Sequence, residues 1–214
     1  DMVSRGLGDV YKRQVPNLNY AASDSRARYF QIRGIGERSG YQGTPNSSVG
    51  FLIDDIDYSG QGGIATLFDV DQVEVFRGPQ GSRSGANALA GLIYIKTKDP
   101  TEKFEGTSEL TLGDYGTQNI GVAFGGPMQN KKLKYRLVLR TDYADGFRKN
   151  IYLNKSDTSK KDELTLRYKL NWELNETTNL DFLVSKVDMD DPADIWTIDG
   201  LSLIHISEPT RHHV

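Results

Sequence analysis

The sequence predicts two consecutive parts, an α+β unit over residues 15–103 and a set of antiparallel β-strands over residues 104–200. The first part is rich in glycine, and its short apolar runs are separated by turn-forming stretches. The second part alternates apolar and polar residues with a period of two, which is typical of strands. Its connections alternate between short turns and a long polar loop.

Both ends of the chain are expected to be technical flanks. DNA that encodes LSLIHISEPTR, residues 201–211, can encode SRGLGDVYKRQ, residues 4–14, on its opposite strand. This relation resembles a translated transposase adapter from library sequencing, so residues 1–14 and 201–214 are interpreted as adapter-derived and excluded from fold reasoning. All 3 histidines lie in the second flank and therefore give no support to a metal site.

Composition argues against several classes of protein. The chain has 26 basic and 29 acidic residues, a balance that does not favour nucleic-acid binding. It has no cysteine, so it has neither a disulfide framework nor a thiolate nucleophile. No apolar run reaches the length of a transmembrane helix, and no signal peptide is visible. Hydropathy does not detect barrel strands, whose two faces average out.

The first part is predicted to contain four strands, at residues 29–33, 50–54, 73–77 and 92–97. The stretches GIGERSGYQGTPNSS and SGQGG separate them as loops. Two further segments, residues 64–69 and 85–90, are predicted to form short helical turns. Together these elements indicate a small α+β domain.

The second part is predicted to contain five strands, at residues 104–112, 120–124, 133–143, 164–174 and 180–184. In the fourth strand, leucine, tyrosine and tryptophan occupy every second position from Leu164 to Leu174, and polar residues fill the others. The third strand repeats this split with one exception, Val138. Strands of about 9 to 11 residues suit a tilted membrane crossing. A soluble antiparallel sandwich alternates in the same way, and periodicity alone favours that sandwich.

Residues 29–100 carry four motifs in a fixed order: FQIRGIG at 30–36, VGFLIDDID at 49–57, LFDVDQVEVFRGPQGSRSG at 67–85 and ANALAGLIYIKTKDP at 86–100. Their order and spacing resemble the plug domain of TonB-dependent outer-membrane receptors. Ser84, Ala90 and Asp55 depart from the common pattern, Asp55 because glycine is frequent at its position. The resemblance implies an α+β plug domain at 15–103 without its N-terminal part, followed by about the first five antiparallel strands of an incomplete transmembrane β-barrel at 104–200.

The resemblance also implies a function in the outer membrane of a Gram-negative bacterium. Receptors of this family actively take up scarce ligands, most often ferric siderophores and otherwise cobalamin, haem or oligosaccharides. The energy-transducing protein TonB would contact a segment before residue 15, and the barrel would contact outer-membrane lipid. No catalytic residue, cofactor, metal or nucleic acid is expected. The alternatives are a soluble or surface β-rich binding module, such as an adhesin or glycan-binding domain, and a secreted hydrolase with unrecognised carboxylates.

The resemblance assigns two kinds of site residue to the plug. Its outward loops correspond to residues 36–48 and 58–63, whose side chains able to stack on or hydrogen-bond a polar ligand are Arg38, Tyr41, Gln42, Tyr58 and Gln61. Residues that match the family's latch between plug and barrel are Arg33, Glu74 and Arg77.

Competing motifs are incomplete. GIGERSG lacks the glycine spacing of a dinucleotide loop, and GPQGSRSG lacks the lysine of a phosphate loop. The carboxylates of Asp54, Asp55 and Asp57 are not followed by the glutamate that a calcium loop needs. A Ser/His/Asp triad cannot be assembled without a histidine outside the flanks.

Overall fold

Eleven strands in three sheets form the regular structure of the described residues. The computed structural model describes residues 15–21, 27, 29–38, 47–61, 66–81, 87–128, 132–147, 154 and 160–190. The strands of the first part are β1 Leu18–Ala21, β2 Tyr29–Ile32, β3 Val49–Ile53, β4 Ile56–Asp57, β5 Val70–Arg77 and β6 Gly91–Thr97. Those of the second part are β7 Glu105–Leu112, β8 Gln118–Pro127, β9 Leu133–Ala144, β10 Lys161–Asn175 and β11 Thr178–Met189. Helices long and apolar enough to cross a membrane do not occur among these residues.

The first part is centred on a four-stranded sheet with the order β4-β3-β6-β5. Strand β3 runs parallel to β6, and the other two pairs are antiparallel. The continuous apolar run VGFLI is buried along most of β3, as expected for a strand covered on both faces. Val49 and Phe51 of β3 share one core with Ile93 and Ile95 of β6. Three of the four strands predicted for the first part lie in this sheet and are confirmed, and the fourth, at residues 29–33, is confirmed as β2.

The turn from β3 to β4 consists of Asp54 and Asp55, whose φ angles are both positive, 48° and 69°. Positive φ at both positions is the geometry of a type I′ hairpin, which favours Asn, Asp and Gly. An aspartate is consequently tolerated at position 55, where glycine is frequent in the family.

The two predicted helical turns are wrong in the parts that the structure describes. Residues 66–69 end in a turn at Asp69 with a φ of 59°, and residues 87–90 bend at Ala88 with a φ of 72°. Both values lie in the left-handed region, which a right-handed helical turn excludes. Residues 64–65 and 85–86 lie outside the described residues.

Strands β1 and β2 form a separate antiparallel pair that packs on the four-stranded sheet. Leu18 and Ile32 join the core that contains β3 and β6. The ring of Phe30 stacks on that of Phe51, with centroids 5.4 Å apart and planes 15° apart. Strand β1 was not predicted, because its four residues are too short to show a period.

The second part is a five-stranded antiparallel sheet whose order, β11-β10-β9-β8-β7, follows the sequence. All five strands predicted there are confirmed. Strands β8, β10 and β11 extend further than predicted. Their pairing with neighbouring strands continues into residues where apolar and polar side chains alternate less regularly. We call this five-stranded sheet, which contacts the first part of the chain, the strand wall.

Strands β9 and β10 of the strand wall bury most of their polar face and expose their apolar face. Arg136 and Arg167 are only 2% and 5% exposed, whereas Leu139 and Trp172 are both 44% exposed. A soluble sandwich would bury the apolar face instead. Val138, the exception in the alternation, lies on the buried face at 1% exposure and packs against the first part. Arg136 of β9 and both Arg167 and Lys169 of β10 are therefore directed at the first part of the chain.

Candidate functional site

The four-stranded sheet has two ends with different surroundings. The loop end, where β3 and β6 begin, comprises residues 47–48, 58–61 and 87–90. The anchor end, where β3 and β6 finish, comprises Asp54, residues 66–69 and residues 97–99. The predicted ligand residues Tyr58 and Gln61 belong to the loop end. The buried polar contacts to the strand wall belong to the anchor end.

Glu37 fixes one side of the loop end. Its carboxylate, in a residue only 8% exposed, accepts hydrogen bonds from the Ser48 backbone N at 2.9 Å and from Ser48 Oγ at 2.6 Å. Ser47 Oγ adds a longer contact at 3.4 Å. Burial raises the pKa of Glu37, but the hydrogen bonds outweigh it and leave the pKa below its usual value. The carboxylate thus ties the start of β3 to the residues that follow β2.

Gly36 allows Glu37 to reach this position. Its φ is 146°, and a Cβ on it would lie 2.2 Å from the backbone oxygen of Phe30. Any side chain at position 36 would collide with β2, so the chain can turn this closely only at a glycine.

Asp57 fixes the other side of the loop end. Its Oδ1 accepts a hydrogen bond from the Ser59 backbone N at 2.8 Å, and its Oδ2 accepts one from Asn87 Nδ2 at 2.6 Å. Asn87 Oδ1 in turn accepts from the Ser47 backbone N at 3.1 Å. Burial raises the pKa of Asp57, but these hydrogen bonds leave it below its usual value. Three separate loops are thereby held together at the loop end.

An open groove of about 530 Å³ lies between the loop end and the strand wall. Tyr58 and Gln61 line it on one side. The side formed by β11 contributes Ser185, Val187, Asp188 and Met189. The Gln61 backbone N donates to the Tyr58 backbone O at 2.8 Å, which shapes the loop that carries both residues. Tyr58, Gln61 and Ser185 of this lining carry a phenol, an amide and a hydroxyl, which are groups able to hydrogen-bond a polar ligand.

The structure brings together two of the five predicted ligand residues, Tyr58 and Gln61. Arg38 is exposed at the end of segment 29–38. Tyr41 and Gln42 lie outside the described residues. The ligand role of all five remains a prediction. Among the described residues, no cluster of three histidine, aspartate or glutamate side chains is arranged to hold a metal ion.

The predicted latch residues lie away from the strong contacts to the strand wall. Arg33 is exposed in a turn, with a φ of 55°, and its backbone N donates to the Asn17 backbone O at 2.9 Å. Arg77 is exposed at the end of β5. Glu74 Oε1 accepts a hydrogen bond from Gln72 Nε2 on its own strand at 2.8 Å. The latch role of these three residues also remains a prediction.

A buried ion pair joins the anchor end to the strand wall. Asp69 accepts hydrogen bonds from two nitrogens of Arg136, Nε at 2.7 Å and Nη2 at 2.5 Å. The two side chains are 1% and 2% exposed. Arg136 Nη1 also contacts Glu105 at 3.1 Å, and Arg167 Nη2 donates to the Asp69 backbone O at 3.3 Å. Arg167 Nη2 also lies 3.7 Å from Asp69 Oδ2, so two cations of the wall converge on one carboxylate of the anchor end.

Phe68 fills a socket beside this ion pair. The ring packs against Ala123 and Val138. Arg140 lies over it, with its guanidinium carbon 5.4 Å from the ring centroid. A Cβ on Gly121 would lie 2.8 Å from the ring, so only glycine leaves room for Phe68 at that point.

Lys169 forms a second point of attachment. Its Nζ contacts Asp54 Oδ1 at 3.2 Å and Asp99 Oδ1 at 3.0 Å, and it donates to the Thr97 backbone O at 3.1 Å. Asp54 also accepts a hydrogen bond from the Thr97 backbone N at 2.9 Å. Burial raises the pKa of Asp99, but the nearby ammonium groups of Lys169 and Lys96 leave it below its usual value.

Sequence reasoning missed the residues of the anchor end. It placed Arg136, Arg167 and Lys169 on the polar faces of their strands without assigning them partners. One signal was present: each of these strands has basic residues at alternate positions on the face opposite its apolar residues. A basic face that is not in water requires acidic partners, but the alternation does not identify them.

The comparisons with known proteins agree on one family. A family model described as "TonB-dependent Receptor Plug Domain" matches residues 1–92. The pesticin receptor of Yersinia pestis is 29% identical over 139 residues, which cover 64% of this chain and 20% of that protein. The ferripyoverdine receptor of Pseudomonas aeruginosa is 26% identical over 121 residues, which cover 56% of this chain and 14% of that protein. The chain therefore spans a fifth or less of the length of these relatives.

The fold likeness includes both parts of the chain. The crystal structure of the ferric yersiniabactin uptake receptor FyuA from Yersinia pestis superposes with a TM-score of 0.71 at 24% identity. The superposition covers 84% of this chain and 28% of that one. The four-stranded sheet with its β1–β2 pair is thus a plug domain, and the strand wall is part of an incomplete barrel.

Proposed function

We propose that this chain, which belongs to the TonB-dependent receptor family, is part of an outer-membrane transporter that takes up a ferric siderophore. The relatives named above support this proposal, since two of them are a ferripyoverdine receptor and a ferric yersiniabactin uptake receptor. The location that follows is the outer membrane of a Gram-negative bacterium.

The observation that carries the proposal is the orientation of the two faces of the strand wall. Leu166 and Leu180 are exposed on its outer face, whereas Arg136 and Lys169 are buried on its inner face against the plug. An apolar outer face of this size would be unfavourable in water, because exposing apolar surface to water raises the free energy. A bilayer favours it, and the plug supplies polar partners to the inner face.

The ligand is proposed to bind at the loop end of the plug. Tyr58 and Gln61 would contact it from the groove beside β11, with Arg38, Tyr41 and Gln42 completing the site. A phenol ring can stack on a planar chelating group, and an amide can donate to and accept from the polar atoms around it. The hydrogen bonds of Glu37 and Asp57 would hold these loops in place before the ligand arrives.

Transport is proposed to depend on TonB, acting on a segment that would precede residue 15. The ligand would pass through chemically unchanged, so the protein is proposed to be a transporter and not an enzyme. Outer-membrane lipid would surround the apolar face of the barrel.

An uptake assay on the full-length receptor tests this function. Cells in which it is the single receptor for the ligand would be given radioactive iron bound to a panel of siderophores, with and without a functional TonB. We expect TonB-dependent accumulation of iron from at least one siderophore of the panel. Accumulation of labelled cobalamin instead of iron would show that a ferric siderophore is the wrong ligand class. Equal uptake with and without a functional TonB would contradict the proposed mechanism.

A further inference from the structure

We propose that a small cavity between the plug and the strand wall binds one monovalent anion of halide size, held by Arg167, Thr165 and Ser185. The cavity has a volume of about 20 Å³. It lies beside the groove proposed for the siderophore, because Tyr58, Ser185 and Val187 line both spaces. The anion site goes beyond the proposed function and does not depend on it, since no siderophore takes part in it.

Arg167 of β10 supplies the positive charge of the site. Its side chain is only 7% exposed and lines the cavity. Within the described residues its hydrogen bonds all come from Nη2, which donates to the backbone oxygens of Phe68 at 3.4 Å and Asp69 at 3.3 Å. Nε and Nη1 have no acceptor in that part of the chain. Because buried guanidinium donors need acceptors, an occupant of the cavity that accepts hydrogen bonds would satisfy them.

Two hydroxyl groups converge on the same cavity. Thr165 and Arg167 lie two positions apart on β10 and therefore on one face of that strand. Ser185 of β11 is paired directly opposite Arg167. All three side chains line the cavity, and neither hydroxyl has a hydrogen-bond partner among the described residues. A guanidinium and two hydroxyls can thus donate to one occupant from two neighbouring strands.

The balance of buried charge favours an anion over a water molecule. Three buried cations of the wall meet at this place, Arg136, Arg167 and Lys169, with side chains 2%, 7% and 11% exposed. The buried carboxylates are those of Asp69 and Asp54, which are 1% and 9% exposed. Three positive charges against two negative ones leave one positive charge without compensation. Arg167 has the weakest compensation, because its Nη2 is 3.7 Å from Asp69 Oδ2, whereas Arg136 Nε is 2.7 Å from the same atom.

The carboxylates near the cavity are occupied by other partners. Asp54 lines the cavity, but its Oδ1 accepts hydrogen bonds from the Thr97 backbone N and from Lys169 Nζ. Glu163, further along β10, has Lys161 Nζ at 3.4 Å. The remaining carboxylates of the cluster are more than half exposed, so water screens their charge: Asp99 and Glu105. An anion beside Arg167 is therefore not opposed by an uncompensated buried acid.

The size of the cavity selects the class of anion. Roughly 10–15 Å³ is enough for one water molecule, so a cavity of about 20 Å³ admits a particle slightly larger than water. A chloride ion has this size. A carboxylate arm of a siderophore brings a carbon and two oxygens and would need more room. The occupant is consequently a free halide ion and not a part of the transported ligand.

Anomalous diffraction tests the location of the anion. Crystals of the full-length receptor without siderophore would be soaked in sodium bromide, because bromide replaces chloride and gives an anomalous signal. We expect a bromide peak in the cavity, within hydrogen-bonding distance of Arg167, Thr165 and Ser185. Bromide at surface cations only, with water or nothing in the cavity, would overturn the proposal.

Stability in solution tests whether the anion binds outside a crystal. Pulse proteolysis in urea would compare the full-length receptor in chloride and in gluconate, an anion too large for the cavity, at constant ionic strength. Binding to the folded plug should lower its equilibrium constant for unfolding by about 11-fold at a chloride concentration ten times the Kd. Equal stability of the unmodified receptor in the two salts would contradict the proposal.

Three variants assign the effect of chloride to the cavity. Arg167→Met and Thr165→Val should lose most of the stabilisation by chloride, whereas Lys186→Met should keep it, because Lys186 is 65% exposed on β11. If Arg167→Met does not accumulate in the membrane, Thr165→Val, which replaces one hydroxyl by a methyl group, is sufficient for the comparison. A chloride effect in Thr165→Val as large as that in the unmodified receptor would show that the anion binds elsewhere.

Discussion

Asp69 of the plug and Arg136 of strand β9 form a buried ion pair in which one carboxylate meets two guanidinium nitrogens. The two residues are 67 positions apart, and each belongs to a different part of the fold. The pair joins the plug to the barrel wall at a place where neither residue is accessible to water.

Asp69→Asn is expected to destabilise the plug in the full-length receptor by about 3–5 kcal/mol, because Arg136 and Arg167 lose the buried carboxylate between them and Arg136 keeps only the half-exposed Glu105. Pulse proteolysis in urea measures the effect. Glu109→Gln is the matched control: this carboxylate contacts Arg140 but is 46% exposed, so its loss should cost less than about 1 kcal/mol. Equal effects of the two variants would contradict the importance of burial at Asp69.

Gly121→Ala is expected to destabilise the docking of the plug by about 1–3 kcal/mol, because the new methyl group collides with the Phe68 ring. Adding Phe68→Leu should recover part of the loss by shortening the side chain that collides. Gly81→Ala is the control, since a Cβ there meets nothing within 4 Å. Pulse proteolysis again gives the readout, and a double variant less stable than Gly121→Ala alone would argue against the socket.

The stability contributed by Glu37 is expected to depend on pH. Its folded pKa lies below the usual 4.5, so the contribution is complete above about pH 4.5 and is lost as the pH falls through the lower folded value. Glu37→Gln should therefore lower plug stability at about pH 7 and have a smaller effect at about pH 3. Urea unfolding of the purified receptor at the two pH values measures this.

Glu176→Gln, in the exposed turn between β10 and β11, is the control for Glu37→Gln. It should change stability little at either pH. An effect of Glu37→Gln that is the same at both pH values would show that its hydrogen bonds to the serines are not formed by the charged carboxylate.

Ligand affinity is expected to fall about 5- to 30-fold in Gln61→Ala, the equivalent of about 1–2 kcal/mol. Tyr58→Phe keeps the ring that packs on the plug core and removes only the hydroxyl group, so it separates hydrogen bonding from stacking. Gln72→Ala, exposed on β5, serves as the control. Titration calorimetry with a siderophore that the uptake assay identifies measures these affinities, and unchanged binding in Gln61→Ala would remove that residue from the site.

The strands were predictable because their signal is local. The alternation from Leu164 to Leu174 identifies β10 without reference to any other segment. Strands β1 and β4 were missed, because only four and two residues of each are paired and the pairing partner decides their conformation. The boundaries of the plug at 15–103, the barrel strands at 104–200 and the flanks remain predictions.

The anchor end could not be predicted in the same way. Its polar contacts to the strand wall join residues whose separations in sequence range from 67 to 115 positions, and alternation carries no information on which acid meets which base. Val138 illustrates the point. The sequence showed it only as an irregularity on a polar face, whereas the structure shows that Phe68 of the plug packs against it.

The apolar outer face of the strand wall is proposed to lie in a membrane. A nitroxide label at Leu166→Cys in the full-length receptor, reconstituted in lipid bilayers, tests it by the collision rates of the label with oxygen and with a water-soluble nickel complex. We expect collisions with oxygen to dominate at position 166, and collisions with the nickel complex to dominate at Glu176→Cys in the exposed turn. Dominance of the nickel complex at position 166 would contradict the membrane location of this face.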